Sequence, residues 1–248
     1  MPSEFRRLGA GAALALALAG CAGPAPTSAP THEPAPDLVP LHTLAPTVQQ
    51  DMRYFGSHNF MGRRVAGYEA PRCWLSRPAA LALAAVQRDL APWGLGLKVF
   101  DCYRPQAAVD DFVRWGADLS DQRTKAEYYP NVPKSELFAR GYIAERSGHS
   151  RASTVDLSLV VLDAAAARTV LLGAIADGHE IDMGTPFDLF DERSHTDNPT
   201  LGVTVRHNRQ WLRAVMQRHG WRNLPEEWWH YTLQNEPYPD RYFKRPVR

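Results

Sequence analysis

The stretch TVDLSLVVLD (154–163) most constrains the fold: a β-branched, apolar strand with a carboxylate inside it. Such a run belongs in a core, and Asp156 carried into a core needs a partner for its charge. Seven residues earlier, in SGHSRASTVD (147–156), stands His149, among small hydroxyl residues. One reading is a polar turn leading into a core strand. The other is two ligands of a metal ion, because imidazole plus carboxylate suits zinc and a catalytic zinc needs a third protein ligand and one open position.

Around this strand the periodicity predicts a mixed domain. RPAALALAAVQRDLAP (77–92) carries apolar residues at helical spacing and runs into Pro-Trp-Gly, so it reads as a helix. GLGLKVFDCY (94–103) reads as a strand, and Pro105 opens an amphipathic helix over QAAVDDFVRWGADL. Residues 117–134 read as polar loop, with a short helix at about 135–140. VTVRHNRQWLRAVMQRHG (203–220) contains a helix stopped by Gly220, followed by strand-like WRNL and EEWWHYTL. Helices and strands interleave irregularly, which favours a single α+β domain, with a central, mainly antiparallel sheet flanked by helices, over a doubly wound sheet. The expected metal site lies in a cleft on that sheet.

The third ligand is sought in EEWWHY (226–231), where Glu227 and His230 stand three apart as a base and a ligand could. On a regular strand positions i and i+3 face opposite ways, so a bulge or the strand's end must re-aim one of them. The alternative makes Trp228, Trp229 and Tyr231 core aromatics and His230 a hydrogen-bonded core residue. In FDCYRP (100–105), Arg104 sits between a strand end and a helix-starting proline, placed either to stabilise an oxyanion in a cleft or to form a surface salt bridge.

The chain's 248 residues, 44% of them hydrophobic, suit one domain of roughly 200 residues with a sizeable core. Seven tryptophans point to aromatic walls in the core or around a pocket. A net charge of +1 and the lack of a long basic stripe give no reason to expect nucleic acid as a partner. Arg6 and Arg7 precede the apolar run GAGAALALALAG, too short to span a bilayer but suited to an export signal over 1–20. Leu18-Ala19-Gly20-Cys21 resembles a bacterial lipobox, with Cys21 lipidated; the plainer reading is a signal peptide cleaved nearby. Residues 21–47, rich in Pro, Ala and Thr, read as an extended tether ahead of a catalytic domain at 48–248. Cys73 and Cys102 remain, either paired in an oxidising envelope or free and buried.

Taken together, the SxHx6D and ExWH motifs with the YRP arginine resemble the D-alanyl-D-alanine dipeptidase family of zinc peptidases, the type best known from vancomycin resistance. The resemblance runs over about 50–248 and includes NFMGRRVAGY (59–68), EYYPNVPKSELFARGYIA (127–144), MGTPFDLFDERSH (183–195) and EEWWHYTLQNEPYPDRYF (226–243). It implies one Zn2+ bound by His149, Asp156 and His230, with Glu227 as catalytic base and Arg104 as transition-state arginine. It also implies that Asp188 holds the ammonium of a small D,D-dipeptide, while Ser147 and Tyr54 line the pocket. Asp191, Glu192 and Arg193 read instead as a structural charge network. Ala152 and Thr154 depart from the family pattern, which has Gly and then Ala there; Gly to Ala matters if the backbone needs a positive φ. With the lipobox, the resemblance implies an enzyme anchored to a membrane, with Ala22 pointing to the outer one, and facing the periplasm. The same residues leave room for a zinc D,D- or L,D-carboxypeptidase acting on wall peptides, or a lipoprotein that binds them without cleavage.

Overall fold

The structure, a computed structural model, describes residues 36–248. The export-signal run, Cys21 and the tether as far as residue 35 lie outside the described residues. A five-stranded sheet carries the molecule, in the order β2 (Gln49–Gln50), β4 (Leu95–Asp101), β5 (Thr154–Val161), β7 (Glu227–Leu233), β6 (Trp221–Leu224). Only β2 and β4 run parallel; β4–β5, β5–β7 and β7–β6 are antiparallel. The expected α+β architecture with a mainly antiparallel sheet is what is found.

Every residue of β5 is buried, as its unbroken apolar run requires of a strand covered on both faces. Helix α1 (Arg77–Leu90) turns Ala79, Ala80, Leu83, Ala84, Val86, Gln87 and Leu90 inward, the stripe its spacing predicts. Its one buried amide is satisfied: the Leu97 backbone N–H donates to Gln87 Oε1 at 2.8 Å. Helix α2 (Gln106–Ala117) starts just after Pro105, which caps it rather than occupying its first turn, and α5 (Val203–Arg218) packs on β6.

Three stretches differ from expectation. Residues 36–47, expected as tether, belong to the folded body. There β1 (Leu38–Pro40) pairs antiparallel with β3 (Trp74–Ser76), and Leu41 and Ala45 are buried. The proline and threonine content hides the apolar series Leu38, Val39, Leu41; Pro40 is tolerated because it ends an edge strand. Within the expected loop 117–134 lies one helical turn, α3 (Lys125–Tyr128), and the helix placed at 135–140 shrinks to a 3-10 turn, Lys134–Glu136. A second short helix, α4 (Ala164–Ala167), follows β5, capped by the Asp163 side chain.

Cys73 and Cys102 form a disulfide with Cα atoms 5.2 Å apart, settling the alternative left open by the sequence. It ties the loop before β3 to the loop after β4, next to the functional residues described below.

Ala152 adopts φ 59°, ψ 27°, the left-handed region, so the departure from glycine falls where backbone conformation is dear. The methyl is fully buried. A left-handed non-glycine residue costs about 1–2 kcal/mol, while the buried methyl returns about 0.8 kcal/mol and the lower chain entropy of alanine about 0.5–1 kcal/mol. The terms nearly cancel. Ala152→Gly is therefore expected to shift stability by less than about 1 kcal/mol in urea denaturation; a loss above 2 kcal/mol would mean the methyl packs far better than this accounting allows.

Candidate active site

The sheet itself assembles the site. In register, Asp101 of β4 pairs with Asp156 of β5, and Asp156 pairs with His230 of β7. Directly paired residues of antiparallel strands point to the same face, so these three stand in a row across adjacent strands. The register of β4 slips between Val99 and Asp101, a bulge that sets Asp101 into the row.

His149 comes from a 3-10 turn, Gly148–Arg151, that leads into β5 and is capped by Ser147 Oγ, which accepts from the His149 N–H at 3.3 Å. Its ring is fixed by a hydrogen bond between Nδ1 and the Cys102 carbonyl at 2.7 Å. With Nδ1 donating, Nε2 is left as a lone pair turned toward Asp156 Oδ2 at 3.3 Å and His230 Nδ1 at 3.4 Å. His230 Nδ1 lies 3.1 Å from Asp156 Oδ1. That oxygen is buried and has no partner in hydrogen-bond geometry.

The three groups fit a metal ion on their own chemistry. Two imidazole nitrogens and a carboxylate oxygen gather within 4.8 Å of one another. Ligands at about 2.0–2.1 Å in a tetrahedral site are themselves about 3.3 Å apart, close to the 3.4 Å between the two imidazole nitrogens, and Asp156 turns one oxygen to each ring, Oδ2 at 3.3 Å from His149 and Oδ1 at 3.1 Å from His230. Charge agrees with geometry. Burial alone would lower the His230 pKa, but the Asp156 and Glu227 carboxylates override it and push it up to about 9. Burial works against ionising Asp156, yet His149 and His230 hold it well below the usual carboxylate range. The cluster demands positive charge at its centre.

Glu227 and His230 both reach the site although they are three residues apart. Glu227 is the first residue of β7, where the β6–β7 register shifts between Asn223 and Leu224, and its Oε2 lies 3.4 Å from His230 Nδ1. The strand's end and a bulge re-aim it, as the spacing demanded. Trp228 and Trp229 are buried; Trp228 Nε1 donates to Thr185 Oγ1 at 2.9 Å and Trp229 packs edge-on against Phe187.

Arg104 is not a surface ion pair. Its Nε and Nη2 each lie 2.9 Å from Asp101 Oδ2, and its guanidinium sits 5.1 Å from the Tyr54 ring and 5.0 Å from the Phe112 ring. Nη2 is 3.7 Å from Asp156 Oδ2, and Nη1 reaches Ser147 Oγ only at 3.4 Å, so Nη1 is the donor left over. Asp101 is the residue that sequence reasoning missed. Fully buried, it holds Arg104, accepts from Tyr68 OH at 2.6 Å, and lies 3.4 Å from His149 Nδ1. Its one sequence signal is a charged residue closing an apolar strand.

Asp188 lies in the same cavity at φ 63°, a strained backbone for an aspartate and a mark of functional sites. The loop bearing it is clamped by buried Arg209, which donates to the carbonyls of Met183 (2.8 Å) and His195 (2.7 Å). Tyr54 OH, itself buried, stands 3.1 and 2.9 Å from the two Asp188 carboxylate oxygens and donates to them. Burial first, then the nearby Asp156 charge, raises the Asp188 pKa well above its ordinary value; Tyr54 and Arg104 oppose this. An ammonium group entering the cavity would favour the charged form of Asp188, whereas a neutral ligand would not. Tyr54→Phe removes one lowering influence, so Asp188 protonates at higher pH. The acid limb of kcat/KM is expected to move to higher pH in that variant; a pH–rate profile superimposable on the parent's would refute the coupling of Tyr54 to Asp188.

The cavity holding these groups has a volume of about 220 Å3 and is walled by Phe60, Phe112, Tyr142 and Phe190. Ser147 and Tyr54 both line it, as expected. Asp191 stays outside it, accepting from Asn131 Nδ2 at 2.7 Å and pairing with Arg193 at 3.0 Å. Thr154, the second departure, lies two residues along β5 on the same face as Asp156, bonds Thr232 Oγ1 at 3.0 Å, and its hydroxyl fills the space a Cβ on Gly148 would need, 3.0 Å away.

Known proteins are similar to this chain over most of its length. Residues 35–248 match the model of the peptidase family described as D-ala-D-ala dipeptidase. The chain is 43% identical over 200 residues to the D-alanyl-D-alanine dipeptidase of Enterococcus faecalis, covering 81% of this chain and 93% of the relative. It is 41% identical over 211 residues to that of Streptomyces coelicolor (85% and 98%), and 30% identical over 204 residues to that of Escherichia coli (82% and 88%). A buried N,N,O cluster, a carboxylate and an arginine beside it, and a match across the whole described body place this chain in the D-ala-D-ala dipeptidase family of metallopeptidases.

Proposed function

We propose that the protein is a zinc-dependent dipeptidase that hydrolyses D-alanyl-D-alanine to two D-alanines. The observation that carries this reading is a small cavity holding both the His149–Asp156–His230 cluster and, walled into it, Asp188. Two nitrogens and one carboxylate oxygen suit zinc better than magnesium or calcium, which prefer all-oxygen sites. His149 Nε2, Asp156 and His230 Nδ1 would hold the zinc, which would supply Lewis acidity and lower the pKa of a bound water toward neutrality.

The chain's own residues do the rest. Glu227 accepts the proton of the attacking water and returns it to the leaving amine. Arg104, its charge anchored by Asp101, presents Nη1 to the oxygen of the carbonyl under attack as negative charge grows there; one such donor is worth about 3–4 kcal/mol of barrier. Asp188 pairs with the free ammonium and so selects an N-terminus. The cavity is below the roughly 300–1,000 Å3 of drug-sized sites, which favours a dipeptide over a longer stem peptide. The lipobox at Cys21 supports an anchored enzyme on the periplasmic side of the cell envelope, at the outer membrane; no helix among the described residues is long and apolar enough to cross a membrane.

Chromatographic product analysis of the zinc-loaded protein with D-Ala-D-Ala, L-Ala-L-Ala and a wall pentapeptide tests the reading. Turnover of the D,D-dipeptide alone is expected. Release of terminal D-alanine from the pentapeptide would make it a carboxypeptidase, and binding without turnover would make it a wall-peptide-binding protein.

A further inference from the structure

The cavity is lined by three carboxylates, Asp156, Asp188 and Glu227, and by two arginines, Arg104 and Arg146. Four of these five have their charge answered or their task set inside the protein. Asp156 belongs with His149 and His230, Arg104 is paired with Asp101 at 2.9 Å, Asp188 accepts from Tyr54, and Glu227 stands beside His230. Arg146 is the exception. Among the described residues no carboxylate lies within ion-pair distance of it, and its side chain is exposed at the mouth of the cavity.

Arg146 is nonetheless held in place. Its guanidinium carbon lies 5.2 Å from the centre of the Tyr242 ring, a cation–π contact. Tyr242 is itself fixed, because Arg151 reaches the same ring at 5.7 Å and donates Nη1 to its hydroxyl at 3.4 Å. Arg151 in turn forms a fork with both Glu236 oxygens at 2.8 and 2.9 Å. This chain of contacts parks an unpaired guanidinium on the lip of an otherwise acidic cavity while leaving its N–H edge open to a ligand.

A dipeptide is a zwitterion, and its two charged ends are separated by about 7 Å when extended. Asp188, buried in the cavity, suits the ammonium, and the scissile carbonyl must lie between Glu227 and Arg104. The carboxylate then faces the mouth, where the acidic lining would repel it were there no cation. We propose that Arg146 receives the C-terminal carboxylate of the dipeptide, making it the residue that requires a free carboxyl one residue beyond the scissile bond. A planar fork matched to a carboxylate is the recognition for which arginine exceeds lysine. This proposal rests on the dipeptidase reading above.

The test compares D-Ala-D-Ala with D-Ala-D-alaninamide, which lacks the carboxylate charge, on zinc-loaded parent, Arg146→Ala and Arg146→Lys. For D-Ala-D-Ala, Arg146→Ala is expected to lower kcat/KM by about tenfold, chiefly through KM, with Arg146→Lys recovering part of the loss. For the amide, parent and both variants should perform alike. Unchanged D-Ala-D-Ala kinetics in Arg146→Ala, or an equal loss on both substrates, would overturn the carboxylate assignment alone. Lack of turnover of D-Ala-D-Ala by the parent would overturn the dipeptidase reading and this inference with it.

Discussion

Glu227→Ala is expected to retain its metal and to lose at least about a hundredfold in kcat. A positioned general base contributes roughly 10²–10⁴ in rate, and no other carboxylate in the cavity is free to replace this one. Asp156 lies between the two histidines, and Asp188 is engaged by Tyr54. Glu227 is not among the three side chains whose ligand atoms gather within 4.8 Å of one another, which is why it is proposed as base and not as ligand. Its Oε2 touches that set at one member, His230 Nδ1, at 3.4 Å. Elemental analysis alongside steady-state kinetics distinguishes the roles. Near-parental turnover would sink the base assignment, and loss of the metal from the isosteric Glu227→Gln would move Glu227 into the ligand set. Because one Glu227 carboxylate also raises the His230 pKa, the variant should bind metal with less competition from protons, not more.

What the sequence makes legible follows from which physics acts locally. The helices α1, α2 and α5 announce themselves because one face of each is apolar at helical spacing, and β5 because a fully buried strand has no polar alternation to blur it. Asp156 stands out for the same reason: a carboxylate in such a strand must have a partner in the fold. Asp101 carries no comparable signal, since a charged residue closing a strand is ordinary. Its role depends on a β4 bulge and on the Asp101–Asp156–His230 register across three strands, which are non-local facts. The same holds for Cys73 and Cys102, 29 residues apart and silent about proximity until the sheet brings their loops together. Residues 36–47 were obscured in another way, because composition averaged over a proline-rich run hides three apolar side chains that find an edge strand to join. Lys134 shows the limit of reading a polar stretch as loop. It is buried, with Nζ 3.7 Å from the Trp115 ring centre and donating to the Asp121 carbonyl at 2.7 Å, so the segment is packed through a charge. The left-handed Ala152 shows that a departure within a motif is decided by φ, here strained but offset by a buried methyl.

Asp156→Ala is expected to abolish both metal binding and activity, the larger structural consequence of the two. In the proposed site the carboxylate would supply one ligand oxygen, and it carries the negative charge beside two imidazoles that face each other 3.4 Å apart; without it a cation would meet two neutral nitrogens and no anionic member of the triad. Loss of a mere supporting hydrogen bond around a metal costs about 10–100-fold in affinity, so loss of a ligand should exceed that. Thermal denaturation gives a readout independent of catalysis. At a thousandfold excess over Kd, a metal that binds only the native state adds about 4 kcal/mol, or roughly 8–16 °C of Tm for a body of this size. The parent should show that zinc-dependent shift, reversed by a chelator, and Asp156→Ala should show none. The pH dependence has a defined sign. Metal must displace the proton from His230, whose pKa is pushed up to about 9, so apparent affinity weakens progressively as pH falls below that value. A zinc-induced shift that survives in Asp156→Ala, or an affinity that rises toward acid pH, would place the ion somewhere other than between these three side chains.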